Sequence, residues 1–107
     1  MKPIVDEIAK KFRDALQESM EDFEGLYVFG SQAKEDATED SDVDIIVLLG
    51  QDYFRWPKAF HNILSQLRYD YYDIIDLDVH TKTLESLQRN PIFYNEVVNK
   101  GVFYGKS

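Results

Sequence analysis

The sequence contains no cysteine, only three prolines and five glycines, and fewer basic than acidic residues. Without cysteine there is no disulfide, no thiolate-bound zinc and no thiol nucleophile. A hydrophobic content of 44% argues against a disordered chain. No apolar stretch approaches the roughly 18 residues that a membrane span needs, and the N-terminal residues show no signal-peptide pattern. We therefore expect a cytoplasmic protein with no membrane contact.

Basic residues are scarce, because 12 Lys and Arg stand against 20 Asp and Glu and the formal net charge is −8. Non-specific affinity for nucleic acid comes from Lys and Arg that neutralise phosphates, so we expect no direct binding of nucleic acid. The acidity does not exclude one phosphate-bearing ligand held by metal ions. The length of 107 residues predicts a single domain, residues 1–107.

The hydrophobic pattern predicts helices that alternate with short strands. Helices are predicted over 3–22, 54–67, 83–89 and 91–99, and strands over 26–29, 42–49 and 73–80. The aromatic tail 101–105 is either an edge strand or a docking segment. This order predicts a small α/β domain (α+β, two-layer) in which helices flank a small β-sheet.

A Gly-Ser pair, Gly30-Ser31, directly follows the first predicted strand. Glycine lets backbone N–H groups approach a phosphate closely, and a serine hydroxyl can donate to a phosphate oxygen. Taken alone, a Gly-Ser pair after a strand is more often an ordinary turn.

Two carboxylates, Asp42 and Asp44, open the next strand. Side chains alternate along a strand, so both carboxylates project from one face while Val43 points into the core. Mg²⁺ binds through one or two carboxylates together with substrate phosphates. The alternative is a solvated strand start, since the preceding residues are also acidic.

A third carboxylate, Asp76, lies between Ile75 and Leu77 on the third predicted strand. A carboxylate among apolar residues needs a partner, and three converging carboxylates suit two-metal chemistry. Asp78 shares the face of Asp76 and is expected to point to solvent beyond the site. His80 is expected to be a surface histidine.

The spaced pattern Phe29-Gly30-Ser31, ten residues, then Asp42-Val43-Asp44 before an apolar run resembles the polymerase-β-like nucleotidyltransferase superfamily. The ten-residue spacer and the sequence Ser41-Asp42-Val43-Asp44 resemble the small single-domain branch of this superfamily, the minimal nucleotidyltransferases. Asp76 matches the third carboxylate of that pattern, and the C-terminal stretch from Thr81 to Tyr104 also resembles the branch. The resemblance implies the palm-like nucleotidyltransferase fold with a mixed sheet.

The resemblance also implies roles for these residues. Gly30, Ser31 and Lys34 would hold the nucleoside triphosphate, and Lys34 would partly replace an arginine that the family often has after its Gly-Ser. The catalytic and metal-binding carboxylates would be Asp42, Asp44 and Asp76. They would hold two Mg²⁺ ions, with Mn²⁺ as a substitute. The reaction would transfer a nucleoside monophosphate, most often AMP from ATP, to a hydroxyl and release pyrophosphate.

Minimal nucleotidyltransferases commonly act as antitoxins beside a small helical HEPN-type toxin, and the resemblance implies such a partner. An acidic antitoxin would complement a basic RNA-cleaving protein electrostatically. Three alternatives stay open: an inactive antitoxin that neutralises its partner by binding alone, transfer to a small molecule or to RNA, and a homodimer. The acidic residues between Ser31 and Asp42 favour the inactive form, because they would repel ATP.

Overall fold

The computed structural model describes residues 1–33 and 42–107. Its strands are β1 (Phe23–Phe29), β2 (Val43–Leu49), β3 (Leu77–Lys82) and β4 (Val102–Tyr104). Its helices are α1 (Pro3–Ser19), α2 (Lys58–Asp70), α3 (Leu84–Gln88) and α4 (Pro91–Tyr94), with a 3₁₀ turn over Gly30–Ala33 and a π-helical turn over Asn95–Asn99. The predicted α/β class is therefore confirmed.

The four strands form one mixed sheet in the order β3-β2-β1-β4. Strand β1 pairs antiparallel with β2 and with β4, whereas β2 pairs parallel with β3. The continuous apolar run of β2 is typical of a strand that is covered on both faces, and it lies at the centre of the sheet. The C-terminal tail contains an edge strand, β4, which is one of the two structures predicted for residues 101–105.

One face of the sheet carries the main core. Apolar residues recur every three to four positions along α1 and α2, so each helix presents one buried stripe to the sheet. Val43, Ile45, Val47 and Leu49 of β2 point to this face. The ring of Phe12 in α1 packs 6.0 Å from that of Phe60 in α2, between centroids. The two long helices therefore pack together over the centre of the sheet.

The second face carries a smaller cluster beneath the C-terminal helices. Ile46 and Leu48 of β2 pack there with Leu87 of α3 and Val97 of the π-helical turn. The residues that β2 buries in this cluster begin at Ile46, and the cluster ends beside Asp44 at the partly buried Phe29, which is paired with Asp44. Asp44 therefore lies at the margin of the second face and is only partly buried.

The first helix and first strand differ from the sequence prediction. Helix α1 ends at Ser19 instead of residue 22, and β1 begins at Phe23 instead of residue 26. Glycine commonly follows the end of a helix, but Gly25 does not. It lies inside the strand with a φ of 142°, where the pairing with β2 shifts register. Glycine is favoured at such a bulge because it tolerates positive φ.

The second helix and third strand begin later than predicted. Helix α2 begins at Lys58 and not at residue 54, because the residue before Pro57 is disfavoured in helical geometry. Phe54, the first residue of the predicted helix, is 99% exposed. Helix α2 also continues to Asp70 and is followed by a turn, in which Ile74 N–H donates to the Tyr71 carbonyl at 3.0 Å. Strand β3 therefore cannot begin before Leu77.

Two buried tyrosines connect the N-terminal helix to distant parts of the chain. The Tyr71 hydroxyl donates to Glu7 at 2.7 Å, and the Tyr104 hydroxyl donates to Asp6 at 2.8 Å. Burial and the Asp6 carboxylate raise the pKa of Tyr104 above its ordinary value, so this hydroxyl keeps its proton. In residues 1–33 and 42–107, no helix has both the length and the apolar character needed to cross a bilayer.

We predict that Phe12→Ala lowers the free energy of unfolding by about 3–5 kcal/mol, because it leaves a cavity beside Phe60. Phe54→Ala, which removes a ring that is 99% exposed, is the matched control and should change it by less than about 0.5 kcal/mol. Urea unfolding measures both values. Similar losses in the two variants would contradict the placement of the core.

Candidate functional site

Three chain segments meet where β1 ends and where β2 and β3 begin. Since β1 runs antiparallel to β2, the end of β1 lies beside the start of β2, and Phe29 is paired with Asp44. Since β3 runs parallel to β2, its start lies at the same edge, and Val43 is paired with Leu77. The Gly-Ser pair and the aspartates of the sequence motif are therefore brought to one edge of the sheet.

Gly30 lies directly against the Asp44 carboxylate. Its φ is 74°, in the left-handed region that favours glycine, and a Cβ added there would collide with Asp44 Oδ2. The absence of a side chain at position 30 therefore permits this close approach of backbone and carboxylate.

Gly30 begins the 3₁₀ turn, in which the side chain of Gln32 is fully buried. Ser31 is exposed at the same turn, where its hydroxyl can meet a ligand. The predicted phosphate contact Lys34 lies outside the described residues.

Asp44 is the most perturbed carboxyl group of this edge. Burial raises its pKa, and the negative charge and hydrogen bonding of Asp78, followed by the charge of Asp42, raise it further, while His80 lowers it. Because the pKa of Asp44 is raised, the folded chain holds this proton more tightly than the unfolded chain does. The free energy of unfolding therefore falls as the pH rises from the ordinary carboxyl pKa through the raised one. An ionised Asp44 therefore favours a nearby cation.

Asp78 is the carboxylate beside Asp44. The two residues are direct partners in the parallel pairing of β2 and β3, so their side chains leave the same face of the sheet. Asp78 also forms an ion pair with His80, whose Nε2 lies 3.1 Å from Asp78 Oδ1. Both side chains are more than half exposed, so the imidazole remains accessible to solvent.

Asp42 and Asp76 lie just before their strands and are both exposed. The backbone carbonyl of Asp76 accepts the N–H of Val43 at 2.9 Å, which fixes the start of the β2–β3 pairing. The main charges that act on Asp44 are Asp78, Asp42 and His80. The structure thus brings Asp78 beside Asp44, whereas Asp76 lies one step outside β3.

The sequence analysis predicted that Asp78 points to solvent beyond the site. In that prediction the third strand begins at residue 73, whereas β3 begins at Leu77. The local sequence does not distinguish the two carboxylates, since Ile75-Asp76-Leu77 and Leu77-Asp78-Val79 both share the apolar–acid–apolar order of Val43-Asp44-Ile45. The observed pairing of β2 with β3 places Asp78 beside Asp44.

The side chains at this edge suit a hard cation, although they do not form a complete cage. Within the two described ranges, no group of three or more Asp, Glu, His or Cys residues is arranged to hold a metal ion. Mg²⁺ usually takes one or two carboxylates and completes its shell with water and substrate phosphates. The adjacent oxygens of Asp44 and Asp78, which repel each other without a cation, fit that requirement.

Comparison with protein families identifies residues 10–106 as a match to the model named polymerase beta, nucleotidyltransferase. The chain belongs to this nucleotidyltransferase family. A comparison with curated protein sequences gave no significant match.

Solved structures with a similar fold are toxin–antitoxin proteins. A mutant of the toxin–antitoxin MntA–HpeT is 20% identical, with a TM-score of 0.64 over 92% of this chain and 74% of the other. A toxin–antitoxin structure with AMP-PNP is 21% identical, with a TM-score of 0.63 over 92% and 74%.

A third structure is a tri-AMPylated HEPN toxin from Shewanella oneidensis in complex with its MNT antitoxin. It is 20% identical, with a TM-score of 0.59 over 95% of this chain and 73% of the other. These likenesses confirm the nucleotidyltransferase fold implied by the sequence motif.

We predict that Gly30→Ala destabilises the protein by about 1–3 kcal/mol, because alanine is strained at positive φ and its Cβ meets the Asp44 carboxylate. In an Asp44→Ala background the collision is removed and only the backbone strain remains. The cost of Gly30→Ala should therefore fall by at least about 0.5 kcal/mol in a double-mutant cycle.

Gly50→Ala is the control for this cycle, since Gly50 also follows a strand but its added Cβ would lie 3.2 Å from the Cβ of Asp22. Its cost should not depend on Asp44. Equal costs of Gly30→Ala in the two backgrounds, measured by thermal unfolding, would argue against the close approach.

Proposed function

We propose that this chain is a Mg²⁺-dependent nucleotidyltransferase that transfers AMP from ATP to a hydroxyl group of a protein partner. The partner is a HEPN-type toxin, and the chain acts as its antitoxin. The family supports nucleotidyl transfer. The AMP-PNP complex and the AMPylated toxin among the similar structures support the nucleotide, the modification and the partner.

The observation that carries the proposal is the contact between Gly30 and the Asp44 carboxylate next to Asp78. A nucleotidyltransferase needs a backbone cradle for phosphates beside oxygen ligands for a cation. Gly30 and Ser31 supply the first, while Asp44 and Asp78 supply the second, with Asp42 at the strand entrance. The functions inferred from the motif are thus available at one edge of the sheet.

The proposed reaction is a substitution at the α-phosphorus of ATP. The acceptor oxygen forms a new bond to this phosphorus, the bond to the bridging oxygen of the β-phosphate breaks, and pyrophosphate leaves. The hydroxyl proton passes to a carboxylate, for which we propose Asp78. Bound Mg²⁺ supplies neutralisation of the phosphate charges, which is a large part of catalysis in phosphoryl-type transfer.

The two candidates for the third carboxylate, Asp76 and Asp78, differ in position. Asp78 adjoins Asp44 in the sheet and is held by His80. Asp76 lies before β3 and contributes its backbone to the pairing. We propose that Asp42, Asp44 and Asp78 do the chemistry, and that Asp76 adds negative charge at the entrance.

The surface beside this edge suits a basic protein partner. Tyr69 and Tyr72, at and just beyond the end of α2, are 73% and 74% exposed, and their ring centroids are 6.4 Å apart. Ile74 is exposed beside them, and Asp70 and Asp73 are exposed in the same segment. Exposed aromatic rings framed by carboxylates are typical of a site that receives a basic surface.

We predict that Asp44→Asn and Asp78→Asn each reduce AMP transfer by at least about 100-fold, because each removes charge stabilisation of the transition state. Asp76→Asn should retain activity within about fivefold. The assay measures transfer from α-labelled ATP, with Mg²⁺, to the product of the gene adjacent to that of this chain. A large loss in Asp76→Asn and none in Asp78→Asn would reverse the assignment.

Thermal unfolding in EDTA provides the control for folding. Asp44→Asn removes one of two adjacent like charges, worth on the order of 1 kcal/mol, so its midpoint should rise by about 4–8 °C in a domain of this size. A loss of transfer together with this gain in stability identifies a functional carboxylate. A lower midpoint would instead indicate that the variant is inactive because it folds poorly.

A second candidate function is neutralisation by binding alone. It is favoured by the Tyr69–Tyr72 surface, which is separate in sequence from the aspartate motif. The combined Asp42→Asn and Asp44→Asn variant distinguishes the two functions in cells that express the toxin. Under AMP transfer this variant fails to protect although it still forms the complex, whereas protection by the variant would establish the binding-only function.

A further inference from the structure

An aromatic and basic cavity lies at the other end of β2, between its last residue and the start of α2. We call it the aromatic–basic cavity; it measures about 490 Å³ and is lined by Tyr53, Phe54, Arg55, Trp56, Lys58 and His61. Residues 53–69 contain no Asp or Glu, although the chain has 20 of them. The side chains that line the cavity therefore include cations and no carboxylate, although Tyr53 is hydrogen bonded to Asp22 outside the lining.

In the described part of the chain, the two strongest cations of the cavity form no ion pair with an acidic group. Among residues 1–33 and 42–107, no carboxylate lies within 4.0 Å of the Arg55 guanidinium or the Lys58 ammonium in an ion pair. Both side chains are exposed. They are thus available to an anionic ligand at no cost in broken ion pairs.

The aromatic rings of the cavity differ in how firmly they are held. The indole N–H of Trp56 donates to Thr81 Oγ1 at 3.0 Å, and its ring packs on Phe60 with centroids 4.6 Å apart. The Tyr53 hydroxyl donates to Asp22 at 2.6 Å. Phe54, in contrast, is 99% exposed and contributes nothing to the core. The cavity therefore combines fixed rings with one free ring.

A flat π-system linked to a phosphate is the chemistry that matches this lining. Bases stack on aromatic side chains, and Arg and Lys neutralise phosphates. A purely acidic peptide would use the cations but not the exposed Phe54. We propose that the aromatic–basic cavity binds a nucleotide unit, either as a free nucleotide or as part of a single-stranded nucleic acid.

This site is distinct from the aspartate edge. Asp44 alternates with Val43 and Ile45, which point to the helix-covered core, so its side chain leaves the opposite face of the sheet. Trp56 packs against that core and its indole N–H reaches Thr81, so the cavity lies on the helix-covered side. The inference does not rest on the proposed function and needs no metal ion. It also differs from the expectation, drawn from net charge, that the chain does not bind nucleic acid.

The single tryptophan of the chain, Trp56, reports on this cavity by its fluorescence. The probes are AMP and a 12-nucleotide single-stranded poly-adenylate, titrated into the whole protein in EDTA so that metal-dependent binding at the aspartate edge is suppressed. We expect saturable quenching. Because Arg55 and Lys58 would contact about two phosphates, log affinity for the oligonucleotide should fall with log salt with a slope of about −1.4.

Two variants test the lining. Phe54→Ala should weaken binding at least about fivefold through lost stacking, and Arg55→Ala with Lys58→Ala should bring the salt slope close to zero. The control for charge, Lys10→Ala with Lys106→Ala, lowers the net charge by the same two units away from the cavity. The control for an exposed ring is Tyr69→Ala. Neither control should change affinity by more than about twofold.

The outcomes separate the sources of the ligand. Equal affinity for AMP and the oligonucleotide supports a free-nucleotide site, and a strong preference for the oligonucleotide supports a single-strand site. The proposal is overturned by the absence of quenching, by equal losses in the control variants, or by an unaltered affinity in Phe54→Ala. Equally tight binding of poly-glutamate would also overturn it, since that ligand has charge without a base.

Discussion

The pairing register of β2 with both neighbouring strands is the constraint on which the candidate site depends. One ladder places Phe29 opposite Asp44, and the other places Asp78 beside it. A shift of one residue in either ladder would turn the paired side chains to opposite faces of the sheet. The register is fixed in turn by the buried residues of β2. Its odd-numbered residues pack against the helical layer, and Ile46 and Leu48 pack in the smaller cluster on the other face.

The site retains charge that the fold itself does not need. Asp44 is partly buried beside Asp78, and burial and like charge raise its pKa. A fold selected for stability alone would place an apolar or neutral residue there, since the rest of β2 is apolar. This conflict between local stability and a clustered set of oxygen ligands is typical of functional sites. The arrangement becomes favourable when a cation is shared between the carboxylates.

Much of the fold could be predicted from the sequence, because periodicity identifies elements that bury one face. The apolar run of β2 and the stripe of α1 were recognisable for this reason. The ends of the helices and strands were harder to predict. Gly25 lies at a bulge within β1 and does not end a helix, and Pro57 moves the start of α2 to Lys58. Within the site, the spacing of Gly30 and Asp44 was readable, but the third carboxylate depended on a strand register that no local pattern sets. The sequence therefore placed Asp76 and Asp78 on one face of the third strand without showing which of them adjoins Asp44.

Strand β3 is also an outer strand of the sheet. Outer strands carry unpaired backbone groups that can recruit a strand from another molecule, and charged side chains discourage such recruitment. Asp78, His80 and Lys82 occupy alternate positions along β3, so one face of this edge is lined by ionisable groups. The carboxylate that we propose for the chemistry, Asp78, is thus also one of the charges that discourage aggregation at this edge, and replacing it with an apolar residue would lower solubility.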